Sequence, residues 1–291
     1  MAGTRVIALL TNPTSGRGKG ARHSAAALER LRRRGHDVRA AQGRDADETL
    51  DLAHAMVAEG VDALVVVGGD GMANLGIQAV AGTGTPLGII PAGTGNDVAR
   101  YGDLPADPVA AADRVVTGRT MTMDLAQCQG RYYVTVMAAG FDAVVNERAN
   151  RMTWPRGQMR YNVATLAELR TFRPLDYTLD LDGTVLRLPA MLVAIGNGPS
   201  FGGGLRIAEG ALLDDDLLDV IVIKPISRLE LVRTYPRLFT GTHTSHPQYE
   251  RHRARRVTVA APGIVGYADG ERFGPLPLTI ESVPGALSLL S

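Results

Sequence analysis

Val65-Val66-Val67-Gly68-Gly69-Asp70-Gly71-Met72-Ala73-Asn74 is a β-branched run that breaks into two glycines, a carboxylate and a third glycine before a helix-forming stretch. Three valines in a row suit a strand covered on both faces. Glycines let backbone N–H groups approach a phosphate closely, and a helix N-terminus behind them favours negative charge. Asp70 would repel that phosphate unless it reached it through Mg²⁺ or the waters around the ion. Taken alone, the stretch is equally well explained as a plain Gly-rich turn between a strand and a helix.

Outward from this stretch the same rhythm repeats. Strand-like runs at 6–10, near Val38, at 63–67 and at 87–90 alternate with helix-like runs at 21–34, 46–59 and 74–80. The alternation predicts an α/β Rossmann-like domain, a parallel sheet with helices on both faces and ligands at the carboxyl ends of its strands. Two more Gly-rich loops stand at such ends. Thr11-Asn12-Pro13-Thr14-Ser15-Gly16-Arg17-Gly18-Lys19-Gly20 lacks the spacing of a Walker A loop, and its basic residues Arg17 and Lys19, with Arg22, suit either phosphate clamping or plain solvation. Pro91-Ala92-Gly93-Thr94-Gly95-Asn96-Asp97 leads into another helix, with Asn96 or Asp97 as its N-cap.

After about Thr120 the pattern changes to extended segments at 121–128, 132–138, 177–181, 185–195, 217–223, 257–260 and 276–280. Asp182-Gly183 is a hairpin signal, and helices are expected at 161–172 and at 228–238, the latter bent or ended by Pro236. This predicts a mostly β C-terminal domain, a sandwich or open barrel. The expected division is 1–120 and 121–281.

The chain has 291 residues, 45% hydrophobic and 21% charged, enough apolar surface for two cores. Its 31 basic and 30 acidic residues give a net charge of +1, which argues against binding nucleic acid by charge. The single cysteine, Cys128, cannot form an internal disulfide, and a cytoplasmic location is expected. No apolar run reaches the roughly 18 residues of a membrane span, and no signal peptide is expected.

Together the three loops resemble the diacylglycerol kinase catalytic-domain family of lipid kinases in its bacterial soluble form, related to sphingosine kinases and more remotely to NAD kinases. The resemblance spans nearly the whole chain. It also draws on Met123-Asp124, Asn197-Gly198 with Phe201-Gly202-Gly203-Gly204, Asp214-Asp215 with Leu218-Asp219, and Asp269-Gly270-Glu271. It implies a two-domain fold with Mg-ATP in the interdomain cleft, and a tail of about 282–291 returning to the first domain. ATP would be held by Asn12, Pro13, Thr14, Ser15, Gly16, Gly68, Gly69, Asp70, Gly71, Met72, Asn74 and Thr94, with Arg17 and Arg22 as clamps. Glu271 is implied as the general base toward a lipid hydroxyl, with diacylglycerol the leading acceptor. Asp124 is implied to act with Asp70 on the Mg²⁺ network; otherwise it is an exposed strand-end carboxylate. A second Mg²⁺ is implied on the Asp215 side chain and the carbonyls of Leu212 and Leu217; otherwise the acids form a solvated turn. The enzyme would meet the cytoplasmic membrane surface peripherally, and a homodimer is left open.

Two positions depart from the family pattern. Met72 stands where a hydroxyl residue is usual, removing one polar contact to nucleotide or metal. Asp216 stands where glycine is usual, at a cost if the backbone needs positive φ. His243 and His246 make a weak metal pair, and Ser200 has no nucleophile-elbow context. The run Arg251-His252-Arg253-Ala254-Arg255-Arg256 reads as a solvated loop or as a patch for anionic lipid. Rival readings are a kinase for a sphingoid base, phosphatidylglycerol or a specialised metabolite, an NAD kinase, and a catalytically silent nucleotide- or lipid-binding regulator.

Overall fold

A computed structural model describes residues 4–154, 163, 164, 167 and 173–291. The chain divides into two compact units, Met1–Leu125 with Val283–Ser291, and Ala126–Ser282.

The first unit runs β1 (Val6–Thr11), α1 (Ser15–Arg33), β2 (Asp37–Ala41), α2 (Ala46–Ala58), β3 (Ala63–Gly68), α3 (Asp70–Val80), β4 (Leu87–Pro91), α4 (Asp97–Tyr101) and α5 (Pro108–Thr117). The strands lie in the order β2-β1-β3-β4, all parallel, with Leu9 opposite Val65 and Val66 opposite Ile89. Both faces are covered because successive side chains alternate. Ile7, Leu9, Val65 and Val67 pack with Ala27 and Leu31 of α1 and Ala112 and Val115 of α5. Val66 points the other way, so that a Cβ on Gly76 of α3 would lie 3.0 Å from its Cγ1. Asp45 accepts from Glu48 N and Asp107 from Val109 N and Ala110 N, which sets the starts of α2 and α5.

Two helices begin earlier than the sequence suggests. α1 starts at Ser15 rather than 21, because Ser15 N donates to Asn12 O at 3.2 Å and winds the glycine-rich stretch into the first turns. α3 starts at Asp70 rather than 74, with Ala73 N donating to Gly69 O at 3.1 Å.

The second unit is a β-sandwich. One layer has the antiparallel order β12 (Tyr249–Ala254), β11 (Leu218–Ile223), β10 (Leu192–Gly196), β7 (Val136–Gly140), β14 (Val265–Ala268), β15 (Glu271–Pro275). In the other, β13 (Arg256–Ala260) lies between β8 (Leu175–Leu181) and the start of β16 (Leu278–Leu290), and β8 pairs with β9 (Thr184–Ala190) across the Asp182-Gly183 hairpin. Met137, Val193 and Val220 from the first layer meet Tyr177, Val257 and Leu278 from the second. The Tyr177 hydroxyl reaches across to Ala139 O at 2.8 Å, which satisfies the one polar atom it buries.

Several details differ from expectation. The run 121–128 forms β5 (Thr120–Cys128), the run 132–138 splits into β6 (Arg131–Tyr133) and β7, and 185–195 splits at Met191, whose N–H bonds Ile223 O instead of continuing the strand. α6 (Phe141–Arg151), β12, β14 and β15 carried no strong periodic signal. The helix expected at 228–238 is α7 (Arg228–Thr234) followed by a 3₁₀ turn, Tyr235–Phe239, with Pro236 in its first turn. The helix expected at 161–172 lies, apart from residues 163, 164 and 167, outside the described residues. Beyond Ser282, β16 is counted with the first unit, where Leu289 pairs in parallel with Leu87, and Arg119 and Ser291 exchange backbone bonds at 2.9 Å.

Candidate active site

The strand order places a topological switch point between the carboxyl ends of β1 and β3, because the chain leaves β1 toward β2 on one side and returns to β3 on the other. The three Gly-rich segments interlock there. Asn12 N donates to Val67 O at 3.3 Å, and Ala92 N to Gly68 O at 2.8 Å. Asn12 Oδ1 accepts from Thr14 N at 3.0 Å and from the Thr14 hydroxyl at 2.7 Å, which shapes the turn into α1. Gly16 sits at φ +60° with the Ala92 carbonyl where a Cβ would stand. Gly69 and Gly93 pass so closely that a Cβ on the former would lie 3.1 Å from the latter's Cα.

Neither α1, with Thr14 at its N-cap, nor α3, with Gly69, has a side-chain cap, and although Asn12 O takes Ser15 N, the N-termini of both helices offer N–H groups suited to an anion. Met72 is buried, its side chain filling the space under Gly68 next to Ser15 Oγ. The methionine therefore serves as an apolar floor where a hydroxyl was expected. Pro13, Ser15 and Asn74 are half-buried, Thr14, Gly71, Arg22 and Thr94 are exposed, and Arg17 stands in the first turn of α1.

Asp70 organises the third loop. Its carboxylate accepts from Asn96 N at 3.0 Å and Asp97 N at 2.7 Å, capping α4 from 26 residues earlier in the chain. Asn96 does occupy the N-cap position, at φ 54°, but its side chain folds back on Gly93: Oδ1 accepts from Gly93 N at 3.2 Å and Nδ2 donates to Gly93 O at 3.0 Å. Asp97 is buried in an ion pair with Arg100. Asp124 is not the exposed strand-end carboxylate of the plain reading. It is 4% exposed, and Oδ1 accepts from Gly285 N at 2.8 Å. His23, which the sequence does not mark, is buried with Nδ1 3.0 Å from Pro91 O, tying α1 to the end of β4.

In the second unit, Glu271 opens β15 and is exposed. It follows Asp269 and Gly270, at φ 51° and 83°, positive values that mark the I′ hairpin turn. The Asp269 carboxylate accepts from Val134 N at 3.1 Å, Thr135 N at 3.2 Å and the Thr135 hydroxyl at 2.5 Å. That clamp is also what separates β6 from β7.

The acidic cluster is less open to a cation than its sequence suggests. Asp215 Oδ1 accepts from Leu217 N at 3.2 Å, and Oδ2 is ion-paired with Arg253. Leu212 is exposed and Leu217 half-buried. Asp216 does sit at positive φ, 64°, the conformation that glycine would adopt more readily. Among the described residues no three His, Cys, Asp or Glu side chains gather as metal ligands. One carboxylate and two carbonyls suit a Mg²⁺ that keeps waters, but only with the Arg253 guanidinium moved aside.

Arg251 Nε donates to Asp219 Oδ1 at 2.5 Å, and Arg251 Nη2 to Gly210 O at 3.0 Å. Burial pushes the Asp219 carboxyl up, with Arg251 opposing. Arg255 pairs with Asp216 and Arg256 with Glu281. The basic run is therefore neither a loop nor a free cationic patch, but β12, its turn and the start of β13, paired with Asp219 of β11, Glu281 of β16, and Asp215 and Asp216 in the turn before β11. His243 is buried against Ile207 O, and His246 pairs with Glu230, so the two do not act as a metal pair. Cys128 is buried and its thiol pushed up to about 11, an inert group.

Residues 6–128 match the diacylglycerol kinase catalytic domain, and residues 135–291 the YegS C-terminal NAD kinase beta sandwich-like domain. Over 98% of its length the chain is 47% identical to a diacylglycerol kinase of Mycobacterium tuberculosis, of which it covers 94%. The chain belongs to the diacylglycerol kinase family. This kinase is also 28% identical to a diacylglycerol kinase of Staphylococcus aureus, over 92% of its own length and 87% of that protein's. A crystal structure of a diacylglycerol kinase from Bacillus anthracis shares the fold, with a TM-score of 0.75 at 19% identity, covering 98% of this kinase and 96% of that chain. The resemblance read from the loops and the two-domain α/β and β-sandwich fold are both borne out. The kinase is an enzyme of phosphoryl transfer, and no helix among its described residues is long and apolar enough to cross a membrane.

Proposed function

We propose that this kinase transfers the γ-phosphoryl group of ATP to the free hydroxyl of diacylglycerol, giving phosphatidic acid. The observation that carries the reading is the cradle at the β1/β3 switch point, where two helix N-termini without side-chain caps meet behind interlocked glycine loops. Phosphoryl transfer needs positioning and charge stabilisation more than covalent chemistry, and such a cradle supplies both. Asn12, Pro13, Thr14, Ser15 and Gly16 line it on one side and Gly68, Gly69, Gly71 and Asn74 on another, with Thr94 at the third loop and Arg17 and Arg22 on α1 to hold phosphate oxygens.

Mg²⁺ bound with ATP would neutralise charge on the β- and γ-phosphates. Asp70, beside the cradle and anchored through backbone amides, and Asp124 would hold that ion through its waters. Glu271, on the second unit, accepts the proton of the lipid hydroxyl as its oxygen bonds to the γ-phosphorus and ADP departs with the former bridging oxygen. Its exposure leaves it free to meet an acceptor. A second cation on Asp215 and the carbonyls of Leu212 and Leu217 requires Arg253 to leave Asp215. The enzyme works peripherally at the cytoplasmic face of a membrane, where its acceptor resides.

The experiment is incubation of the purified kinase with Mg²⁺ and γ-labelled ATP against mixed micelles of diacylglycerol, sphingosine or phosphatidylglycerol, with NAD as a lipid-free arm. Label in phosphatidic acid is expected. Label in another product moves the acceptor, and label in none of them overturns the reading.

A further inference from the structure

α7 and the 3₁₀ turn after it expose Leu229, Val232, Tyr235 and Phe239, at 59%, 51%, 43% and 48%. These are four of the nine large apolar side chains exposed among the described residues, gathered within 229–239. Their spacing of three, three and four puts them on one side of a helical path. Leu231, Thr234 and Leu238 take the other side and are half-buried. Leu238 packs against the buried cluster that includes Ile207, Ala208 and Ala211, and its carbonyl accepts from Arg206 N at 2.9 Å. Ser227 Oγ accepts from Glu230 N at 3.2 Å and starts the helix. The ridge is thus fastened at its back and apolar in front.

Charge suggests what covers it. Residues 228–239 contain Arg228, Arg233 and Arg237 against Glu230 alone, whose carboxylate lies 3.0 Å from His246 Nε2, whereas Lys224 before them pairs with Glu250. Arg233 is exposed beside Val232. The run at 251–256, by contrast, is matched by acids. A second copy of this chain would bring like charges together across four side chains, too small an area for a stable dimer. An anionic bilayer takes apolar tips at the headgroup boundary and basic side chains at its phosphates.

We propose that this ridge is the seat of the kinase on an anionic membrane, with Leu229, Val232, Tyr235 and Phe239 entering the headgroup boundary and Arg233 meeting lipid phosphate. The seat rests on the proposed bilayer-borne acceptor and specifies how the enzyme reaches it.

The test measures sedimentation of the whole kinase with phosphatidylcholine vesicles, with or without phosphatidylglycerol, for wild type, Leu229→Ser/Val232→Ser and Arg233→Glu. Turnover is measured in parallel on vesicle-borne long-chain diacylglycerol and on a short-chain diacylglycerol in detergent micelles. The double variant is expected to lose about tenfold in binding to the anionic vesicles. Arg233→Glu should lose a smaller factor there and little on neutral vesicles. Turnover should fall on vesicles and hold on micelles for both variants. Wild-type binding to anionic vesicles that neither variant reduces overturns the seat, as does a wild type that does not bind them. A wild-type dimer lost in the variants while vesicle binding persists overturns it in favour of self-association. Vesicle binding that the variants lose, in a wild type that phosphorylates neither acceptor, supports the seat and removes the proposed acceptor instead.

Discussion

Asp269 and Asp70 act alike in different turns, since each carboxylate satisfies two backbone amides of a segment remote in sequence. Such charge-assisted bonds are stronger than neutral ones, and losing the acceptor leaves amides unpaired. Asp269→Ala should therefore cost about 1–3 kcal/mol of stability and lower kcat while nucleotide affinity holds, because it loosens the turn before Glu271 without touching the cradle. Denaturant unfolding and steady-state kinetics check this, and unchanged kcat would show that Asp269 does not position the turn. The sequence offered Asp269 only as part of a motif. Its partner Thr135 lies 134 residues away, a pairing visible only in the fold. Asp70 was marked as a site residue for its place among glycines, whereas its role as the cap of α4 was hidden for the same reason. Met72 was legible as a departure, but its burial under Gly68 comes from packing that one strand-helix stretch does not encode.

At the level of elements, what was readable follows from periodicity. The apolar runs of β1, β3 and β4 are covered on both faces, and such strands announce themselves as continuous hydrophobic stretches. β12 was obscured because Arg251 and Arg253 alternate with His252 and Ala254, and it took Asp219 and Asp215 on neighbouring segments to make that pattern a strand. α1 was read too short because glycines at 16, 18 and 20 disfavour a helix, although the Asn12 turn starts one. Gly16→Ala must displace the Ala92 carbonyl and adopt positive φ, so it should lower the melting temperature and weaken ATP binding by at least about tenfold. Gly71→Ala faces open space in α3 and should change stability by no more than about 0.5 kcal/mol. Calorimetry on both variants makes the comparison; equal effects would mean that the contact between the first and third loops does not shape the cradle.

For the whole molecule, pH adds a test independent of catalysis. Burial holds the His243 imidazole below its ordinary value of 6.5. As pH falls through 6.5 the unfolded chain takes up a proton that the folded chain refuses, so stability present above that pH is lost below it, by up to about 1.4 kcal/mol per pH unit. His36, lowered by burial and by Arg5 and Arg34, acts in the same direction. The melting temperature should fall between about pH 7 and 5.5, less steeply in His243→Gln; an identical slope in the variant would remove His243 from the account. The family and both fold classes were legible because ordered motifs span the chain. The state of the acidic cluster was not, because the Arg253 on Asp215 comes from another strand. The central claim, that Glu271 takes the proton of the acceptor hydroxyl, is tested most directly by kcat for Glu271→Gln with diacylglycerol, alongside the ATP dissociation constant. A fall of roughly 10²–10⁴ in kcat with ATP affinity unchanged is the expected result; near wild-type kcat would contradict it.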